Sequence, residues 1–226
     1  MNHLNGKHVA AIILAGGRGS RMGARYKQFI DINGKAVITY SMGVLMRCKF
    51  ISRVVVVLPK KHFLKFSHAL KKKNKSPKLI FIKGGSTRRE SSFSALKYLL
   101  KLPPKFVIFQ DASRPLITQE MVHSVYENAK KWGAAVIGIM AVDTIGELKG
   151  KFMISAPDKK KIFHVHLPQC YEFNSIWEAH TASKGEDIDN SVLLSRLGKR
   201  IRIVFGHYPN TKLTHKEDIK IISSML

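Results

Sequence analysis

The chain has 226 residues, with 39 Lys and Arg against 15 Asp and Glu, a formal net charge of +24. Its hydrophobic content of 45% suits a globular protein, and its two cysteines, Cys48 and Cys170, form no C-x-x-C pair, which argues against a disulfide framework or structural zinc. A short polar start and the absence of a long apolar run predict no signal peptide and no membrane span, so we expect a cytoplasmic protein.

Short apolar strands alternate with helical stretches along the first two thirds of the chain. We predict strands at 9–14, 54–58, 79–82, 106–109 and 134–140, and helices at 37–46, 60–73, 86–100 and 118–132, with Ser86 as the N-cap of the third helix. This alternation predicts an α/β fold of Rossmann-like type, a mostly parallel sheet covered by helices on both faces. Residues 142–166 interrupt the alternation and read as an insertion.

The first strand runs directly into a glycine-rich, basic segment, Leu14-Ala15-Gly16-Gly17-Arg18-Gly19-Ser20-Arg21-Met22, with Lys27 just after it. Glycines allow a tight turn and close approach to a ligand, and successive N–H groups bind anions. No Walker loop is present, and the dinucleotide pattern G-x-G-x-x-G fails at its last position. The segment therefore predicts a site for the phosphates of a nucleotide. The alternative is a glycine-rich connecting turn with solvated arginines.

The segment resembles the opening of nucleotidyltransferases that activate polyol phosphates. It is most similar to the cytidylyltransferase family that contains 2-C-methyl-D-erythritol 4-phosphate cytidylyltransferase and ribitol-5-phosphate cytidylyltransferase. The resemblance spans nearly the whole chain and implies one domain over 1–226, with an arm at about 142–166 that pairs with a second subunit. It also implies that Leu14, Ala15, Gly16, Gly17 and Gly19 bind the nucleotide, with Arg21 and Lys27 as catalytic cations.

The fourth strand ends in Gln110-Asp111-Ala112-Ser113-Arg114-Pro115, which is similar to the family's (H)-D-(A/G)-(A/S/V)-R-P. A carboxylate beside phosphates at a strand end suits a divalent cation, so we expect Asp111 to bind Mg²⁺, although capping of the turn is an alternative. The resemblance implies that Arg114 organises the acceptor side.

The third strand is followed by Gly84-Gly85-Ser86-Thr87-Arg88-Arg89-Glu90-Ser91, which is similar to the family's G-G-x-x-R-x-x-S. A helix N-terminus offers N–H groups and a positive dipole end to an anion. The resemblance implies that Gly84, Gly85, Arg88 and Ser91 contact the cytidine part of CTP, with Ser91 at the base.

Three weaker matches concern the acceptor phosphate and the neighbouring subunit. Thr144 in Asp143-Thr144-Ile145 and Lys159 stand where the family places an acceptor-side Thr and an Arg that reaches the partner's site. Asp189 in Asp189-Asn190-Ser191 is a further acceptor-side candidate, or the N-cap of a helix at 192–197. Leu167 replaces a family threonine and Lys159 a family arginine, so the identity of the acceptor stays open, and Ile188 replaces another threonine, just before Asp189.

Asn210-Thr211-Lys212-Leu213-Thr214 resembles the family's (D)-N-I-K-(V/I/L)-T, with Pro209 in the first position. This match implies that Lys212 is a second catalytic lysine on the phosphates.

These matches together predict a CTP-dependent cytidylyltransferase with Mg²⁺, a homodimer, acting on an alcohol phosphate. The predicted acceptor is 2-C-methyl-D-erythritol 4-phosphate, for isoprenoid synthesis. Ribitol 5-phosphate or another polyol phosphate is the alternative acceptor. A non-catalytic nucleic-acid-binding protein is a second alternative suggested by the charge of +24. The lysine runs 71–73 and 159–161 carry no interleaved aromatics and no RNA-binding motif, so they read as solvated surface that steers anions.

Overall fold

The computed structural model describes residues 9–17, 26–183, 188–206 and 210–226. Within these ranges, seven strands form the central sheet in the order β11-β7-β10-β6-β1-β4-β5, and all neighbours run parallel except β10, which is antiparallel to both β6 and β7. The strands of this sheet are β1 (Val9–Leu14), β4 (Ile51–Leu58), β5 (Leu79–Lys83), β6 (Phe106–Asp111), β7 (Ala134–Met140), β10 (Phe163–Glu172) and β11 (Arg202–Phe205). The predicted mostly parallel α/β fold is confirmed.

Helices cover both faces of the sheet. They are α1 (Val37–Arg47), α2 (Phe63–Lys73), α3 (Arg88–Leu99), α4 (Gln119–Trp132), α5 (Phe173–Ala182), α6 (Asn190–Arg196) and α7 (Asp218–Met225). Two short hairpins, β2 (Asp31–Ile32) with β3 (Lys35–Ala36) and β8 (Glu147–Lys149) with β9 (Phe152–Ser155), lie apart from the main sheet. None of the helices in the described part of the chain is long and apolar enough to cross a bilayer.

The central strand β1 divides the core into two layers because successive side chains of a strand point to opposite faces. Val9, Ala11 and Ile13 join a cluster with α1 and α4, whereas Ala10 and Ile12 join a cluster with α3, α5 and α6. Every residue of β1 is buried, which is why this strand reads as a continuous apolar run.

The third helix begins at Arg88, and its N-cap lies one residue later than predicted, so the assignment of Ser86 as the N-cap is wrong. Thr87 has the extended backbone of a cap, and its hydroxyl accepts a hydrogen bond from the Glu90 N–H at 3.1 Å. The Glu90 carboxylate accepts the N–H of Ser86, the residue before the cap, at 2.6 Å. These two contacts of Glu90 place the cap at Thr87.

The insertion at 142–166 contains the β8–β9 hairpin and the first residues of β10. Its apolar side chains are exposed to solvent: Leu148 is 71% exposed, Phe152 78% and Met153 69%. The lysine runs 71–73 and 159–161 are also exposed, as predicted. The insertion therefore presents a hydrophobic surface that is not covered within the described chain.

Candidate active site

A cleft of about 1140 Å³ opens at the carboxyl ends of the parallel strands. Ligands bind at this edge in open α/β sheets, because the loops there can vary without disturbing the strands. The cleft is lined by Leu14, Ala15, Gly16, Gly17, Tyr26, Lys27, Gln28, Pro59, Lys60, Lys61, Gly84, Gly85, Ser86, Thr87, Arg88, Glu90, Ser91, Asp111, Ala112, Ser113 and Lys212. We refer to this space as the cleft.

Eleven of the predicted site residues line the cleft together. They are Leu14, Ala15, Gly16, Gly17, Lys27, Gly84, Gly85, Arg88, Ser91, Asp111 and Lys212. Gly19 and Arg21 lie outside the described residues, as does Pro209. The parallel strands bring these residues from five separate segments of the chain to one edge.

Two glycine turns meet around Ser91. A Cβ at Gly84 would lie 2.8 Å from the Ser91 hydroxyl oxygen and 3.0 Å from Val57, and a Cβ at Gly16 would lie 3.0 Å from the same hydroxyl. A Cβ at Gly85 would lie 2.3 Å from the Cβ of Glu90. Glycine is therefore required here by close approach, and the floor of the cleft is made of backbone.

The loop after β1 is held by its neighbours. The Ala15 N–H donates to the Val57 carbonyl at 2.9 Å, and the buried amide of Gln28 donates to the carbonyls of Ala15 and Gly17. The Gly84 N–H similarly donates to the Leu58 carbonyl at 2.8 Å. Both turns are thus fixed to the ends of the central strands.

Asp111 and Lys212 form the main ion pair of the cleft. The Lys212 ammonium lies 2.7 Å from Oδ2 of Asp111, and Arg88 Nε lies 3.7 Å from Oδ1. Burial alone would raise the pKa of Asp111, but Lys212, Arg88 and Arg114 outweigh it and lower the pKa to about 2. The carboxylate is therefore ionised at every physiological pH.

The surroundings of Asp111 fit a divalent cation shared with a substrate. Among the described residues, no group of three or more His, Cys, Asp or Glu side chains could form a protein cage for a metal. Mg²⁺ typically uses one or two carboxylates together with substrate phosphates, and Oδ1 of Asp111 faces Arg88 at a distance longer than a hydrogen bond. One carboxylate at the cleft wall suits that mode of binding.

Asp189 lies behind Arg88 and does not line the cleft. Its Oδ2 pairs with Arg88 at 3.3 Å, and its Oδ1 accepts from Gln169 at 3.0 Å and from the backbone and hydroxyl of Ser191 at 2.9 and 2.7 Å. The predicted N-cap role is confirmed, for a helix that begins at Asn190 rather than residue 192. The acceptor-binding role remains a prediction.

Arg114 is buried beside the cleft, where it connects three segments. Its Nη1 donates to the Asn210 carbonyl at 2.6 Å and lies 3.4 Å from Nδ1 of His166. Its own carbonyl accepts from the Ser41 hydroxyl, at 3.1 Å. Burial and the positive charge of Arg114 lower the pKa of His166 to about 4. These contacts agree with an organising role.

Thr144 and Lys159 are exposed on the insertion and do not line the cleft. The Lys159 ammonium donates to the Val142 carbonyl at 3.3 Å, a contact within the insertion itself. Leu167, which stands at a family threonine position, is 4% exposed and packs in the core with α5 and α6. Its side chain adds no polar group to the acceptor side.

The sequence patterns assigned no role to Lys60, Lys61, Gln28 and Asn210. Pro59, Lys60 and Lys61 follow the carboxyl end of β4, and the rule that ligands lie beyond strand ends would have identified them. Gln28 directly follows Lys27, and Asn210 stands in the motif that contains Lys212, but the motifs do not say what either amide contacts.

A family model described as IspD, 2-C-methyl-D-erythritol 4-phosphate cytidylyltransferase, matches residues 9–226. The protein named 2-C-methyl-D-erythritol 4-phosphate cytidylyltransferase of Clostridium perfringens (strain SM101) is 33% identical over 217 residues, covering 93% of this chain and 95% of that protein. The protein of the same name from Clostridium tetani is 34% identical over 215 residues, covering 92% and 86%.

Solved structures share the fold. The 4-diphosphocytidyl-2C-methyl-D-erythritol synthase of Anaerococcus prevotii superposes with a TM-score of 0.85 at 24% identity, over 97% of this chain and 96% of that one. The bifunctional IspDF of Campylobacter jejuni superposes with a TM-score of 0.79 at 25% identity, over 95% of this chain and 54% of that one.

Proposed function

Because the chain belongs to the 2-C-methyl-D-erythritol 4-phosphate cytidylyltransferase family, we propose that it transfers CMP from CTP to 2-C-methyl-D-erythritol 4-phosphate. The products are the CDP-alcohol and pyrophosphate, and the reaction is a step of isoprenoid synthesis. The observation that carries the proposal is the cleft itself, in which two glycine turns, a buried carboxylate and two lysines, Lys27 and Lys212, face one space.

CTP is expected to lie along the glycine turns. The backbone at Gly16 and Gly17 would contact the triphosphate, with Lys27 beside it, while Gly84, Gly85 and Ser91 would contact the cytidine part. Arg88, held between Asp111 and Asp189, would add positive charge next to the phosphates.

The chemical step needs no nucleophilic side chain. An oxygen of the acceptor phosphate, already an anion, attacks the α-phosphorus of CTP in line. The new P–O bond forms as the bond to the bridging oxygen of the β-phosphate breaks, and pyrophosphate leaves with that electron pair. The protein contributes positioning and neutralisation of charge in the transition state, for which we assign Lys27 and Lys212 among the cations that line the cleft.

Mg²⁺ is expected to be held by Asp111 together with phosphate oxygens of CTP. When bound, the ion would neutralise phosphate charge and help orient the nucleotide. Lys212 and Arg88 keep Asp111 ionised, so that the carboxylate is ready for a cation without first losing a proton.

The acceptor side is proposed to be completed by a second subunit. The exposed apolar hairpin of residues 142–166 supports a homodimer, because burying Leu148, Phe152 and Met153 against a partner removes their side chains from water. Thr144 and Lys159, which lie outside their own cleft, would then face the partner's cleft. Arg114 would organise the acceptor phosphate from the same subunit.

The proposal also covers the domain organisation, the location and the alternative ligands. We treat residues 1–226 as one nucleotidyltransferase domain, with the cytoplasm as its location. Ribitol 5-phosphate stays the alternative acceptor, because Leu167 offers no hydroxyl where the family has threonine. Nucleic acid is not proposed as a partner, since the cleft is lined by glycine turns and charged side chains and not by a stacking platform of aromatics.

Pyrophosphate release tests the proposal. Purified protein with Mg²⁺ and CTP would be given 2-C-methyl-D-erythritol 4-phosphate, ribitol 5-phosphate or glycerol phosphate in parallel, with UTP and GTP replacing CTP as controls. We expect turnover with the first acceptor and CTP. If only ribitol 5-phosphate supports turnover, ribitol 5-phosphate is the acceptor. If the protein neither turns over any acceptor nor binds CTP, the proposed transferase function is wrong.

A further inference from the structure

Lys212 lies in a loop that is fastened on both sides by buried hydrogen bonds. The loop lies between β11 and α7, and Asn210 is its first described residue after 207–209, which lie outside the described residues. A lysine ammonium stands on a flexible four-carbon stem, so its location depends on how firmly the backbone below it is held.

On the N-terminal side, Asn210 is the point of attachment. Its side chain is fully buried, and its Nδ2 donates to the carbonyl of Leu167 on β10. Its own carbonyl accepts Nη1 of Arg114 at 2.6 Å. Asn210 therefore binds to β10 and to the loop that follows Asp111, the last residue of β6.

On the C-terminal side, Leu213 is the point of attachment. The Leu213 N–H donates to the Ser113 carbonyl at 2.8 Å, and the Leu213 side chain is fully buried with Ile32, Val37 and Ile222. Ser113 also belongs to the loop after β6. The backbone that carries Lys212 is thus bonded, before and after it, to the loop that follows Asp111.

We infer that Asn210 is a positioning residue for the proposed transfer of CMP, which it serves by holding the Lys212 ammonium at the Asp111 carboxylate. The inference rests on the proposed function of the cleft and adds to it a residue that does not line the cleft. The 2.7 Å contact between Lys212 and Asp111 is the geometry that Asn210 maintains.

The chemistry of Asn210 accounts for the choice of side chain. A buried amide is costly unless it is hydrogen-bonded, and removing it leaves the Leu167 carbonyl without this donor. The apolar residues around Leu167 cannot replace that bond. A smaller side chain at residue 210 would therefore free the segment that precedes Lys212.

The first experiment measures turnover of Asn210→Ala, Lys212→Ala and the double variant in the full-length protein. A misplacement of about 1 Å can reduce turnover roughly 100-fold, so we expect Asn210→Ala to lower kcat by about ten- to a hundredfold, more than it changes KM for CTP. In the Lys212→Ala background, the Asn210 substitution should produce almost no further loss of kcat.

The second experiment measures the pKa of Asp111 by carboxyl-carbon NMR in the same variants, without substrate. The charged groups that face Asp111 are Lys212, Arg88 and Arg114. Because displacement of Lys212 removes a favourable charge, Asn210→Ala should raise the pKa of Asp111 well above 2, in the same direction as Lys212→Ala.

Asn128→Ala is the matched control, since the Asn128 amide donates to the Ser124 carbonyl within α4, away from the cleft. It should leave kcat and the pKa of Asp111 unchanged. If Asn210→Ala does not fold, Asn210→Asp at pH 8 tests the same bond, because it keeps the shape but presents an acceptor to the Leu167 carbonyl.

The outcomes separate this inference from the proposed function. A wild-type protein without CMP transfer would contradict the proposed function, whereas the NMR measurement would still test whether Asn210 positions Lys212. An active wild type together with normal kcat in Asn210→Ala, or in Asn210→Asp at pH 8 if the alanine variant does not fold, would overturn the inference, as would an unchanged pKa of Asp111 in Asn210→Ala. Additive losses in the double variant would also overturn it, because Asn210 would then act independently of Lys212.

Discussion

The ammonium of Lys212 lies 2.7 Å from the carboxylate of Asp111, although the two residues are 101 positions apart in the chain. Lys212→Ala should lower kcat by about 100-fold or more, since a preorganised charge at a phosphoryl centre contributes several kcal/mol. It should also shift the acidic limb of the pH–rate profile to higher pH, because Lys212 is one of the groups that hold the pKa of Asp111 near 2. Steady-state rates between pH 4 and 8 measure both effects.

Lys212→Arg serves as the charge-preserving comparison. It should retain a low pKa for Asp111 while losing part of kcat, because a guanidinium does not reproduce the compact ammonium. An alanine variant with a normal pH profile and normal kcat would show that the ion pair has no part in turnover.

Gly84→Ala should raise KM for CTP, because the added Cβ would lie 2.8 Å from the Ser91 hydroxyl oxygen and 3.0 Å from Val57. Forced contacts of this kind usually cost about 1–3 kcal/mol, which corresponds to an increase in KM of roughly five- to 150-fold. Nucleotide titration followed by calorimetry or intrinsic fluorescence measures the loss of affinity.

The matched control for that substitution is Gly43→Ala in α1. A Cβ there meets only the flexible end of Arg47, at 3.2 Å, and alanine favours a helix over glycine by about 1 kcal/mol. The control should bind CTP normally and unfold at a slightly higher temperature. Equal CTP affinities for Gly84→Ala and wild type would contradict the placement of the base beside Ser91.

Lys27→Ala and Lys159→Ala test the contribution of the second subunit. Lys27 lines the cleft, whereas Lys159 is exposed on the insertion of the same chain. Each single variant should have strongly reduced kcat with a normal unfolding temperature, and Lys72→Ala, at an exposed position of α2, should be unaffected.

When the two inactive variants are mixed and allowed to exchange subunits, activity should reappear. A heterodimer would contain one cleft with an intact Lys27 and an intact Lys159 from its neighbour. Sedimentation velocity tests whether the mixed proteins form a dimer, and pyrophosphate release measures how much activity is recovered. Mixtures that stay as inactive as their components would place Lys159 outside the partner's cleft.

His180 makes the fold sensitive to acid. Its ring is buried beside Asn190, with 3.0 Å between Nε2 and Oδ1, and burial lowers the pKa of His180 to about 4. The unfolded chain binds this proton near pH 6.5, so the free energy of unfolding should fall as the pH drops from about 6.5 to 4, by roughly 3 kcal/mol in total.

Urea denaturation at successive pH values measures this slope, which His180→Gln should reduce. His68→Gln, at an exposed position of α2, is the matched control and should keep the wild-type slope. The contribution of His180 would be refuted if His180→Gln and wild type lost stability in parallel over this range.

Much of the cleft was predictable because its parts carry local signals. The apolar run of β1 is buried on both faces, and the glycines after it are required where a Cβ would collide, as at Gly16. Asp111 was identified from its place at the end of β6 and from its motif. Each of these features is marked by a short stretch of sequence, although the contact that favours glycine at residue 16 is made with the distant Ser91.

Other features depend on contacts between distant segments, and the sequence patterns missed them. The strand β10 is antiparallel and contains Pro168, so neither alternation nor a simple apolar run marks it. Asn210 contacts Leu167 and Arg114, 43 and 96 positions away, so the motif around Lys212 includes this residue without predicting its contacts. The N-cap prediction failed at Ser86 because both Ser86 and Thr87 suit a cap, and only the Glu90 contacts distinguish them.

The most direct test of the central claim is ³¹P NMR of purified protein incubated with Mg²⁺, CTP and 2-C-methyl-D-erythritol 4-phosphate, beside the Asp111→Asn variant. The account predicts that the resonances of CTP and of the phosphomonoester disappear together, while a CDP-alcohol diphosphate and pyrophosphate appear in equal amounts. It also predicts that Asp111→Asn converts far less. Hydrolysis of CTP to CMP with the phosphomonoester unchanged, or equal conversion by both proteins, would contradict it.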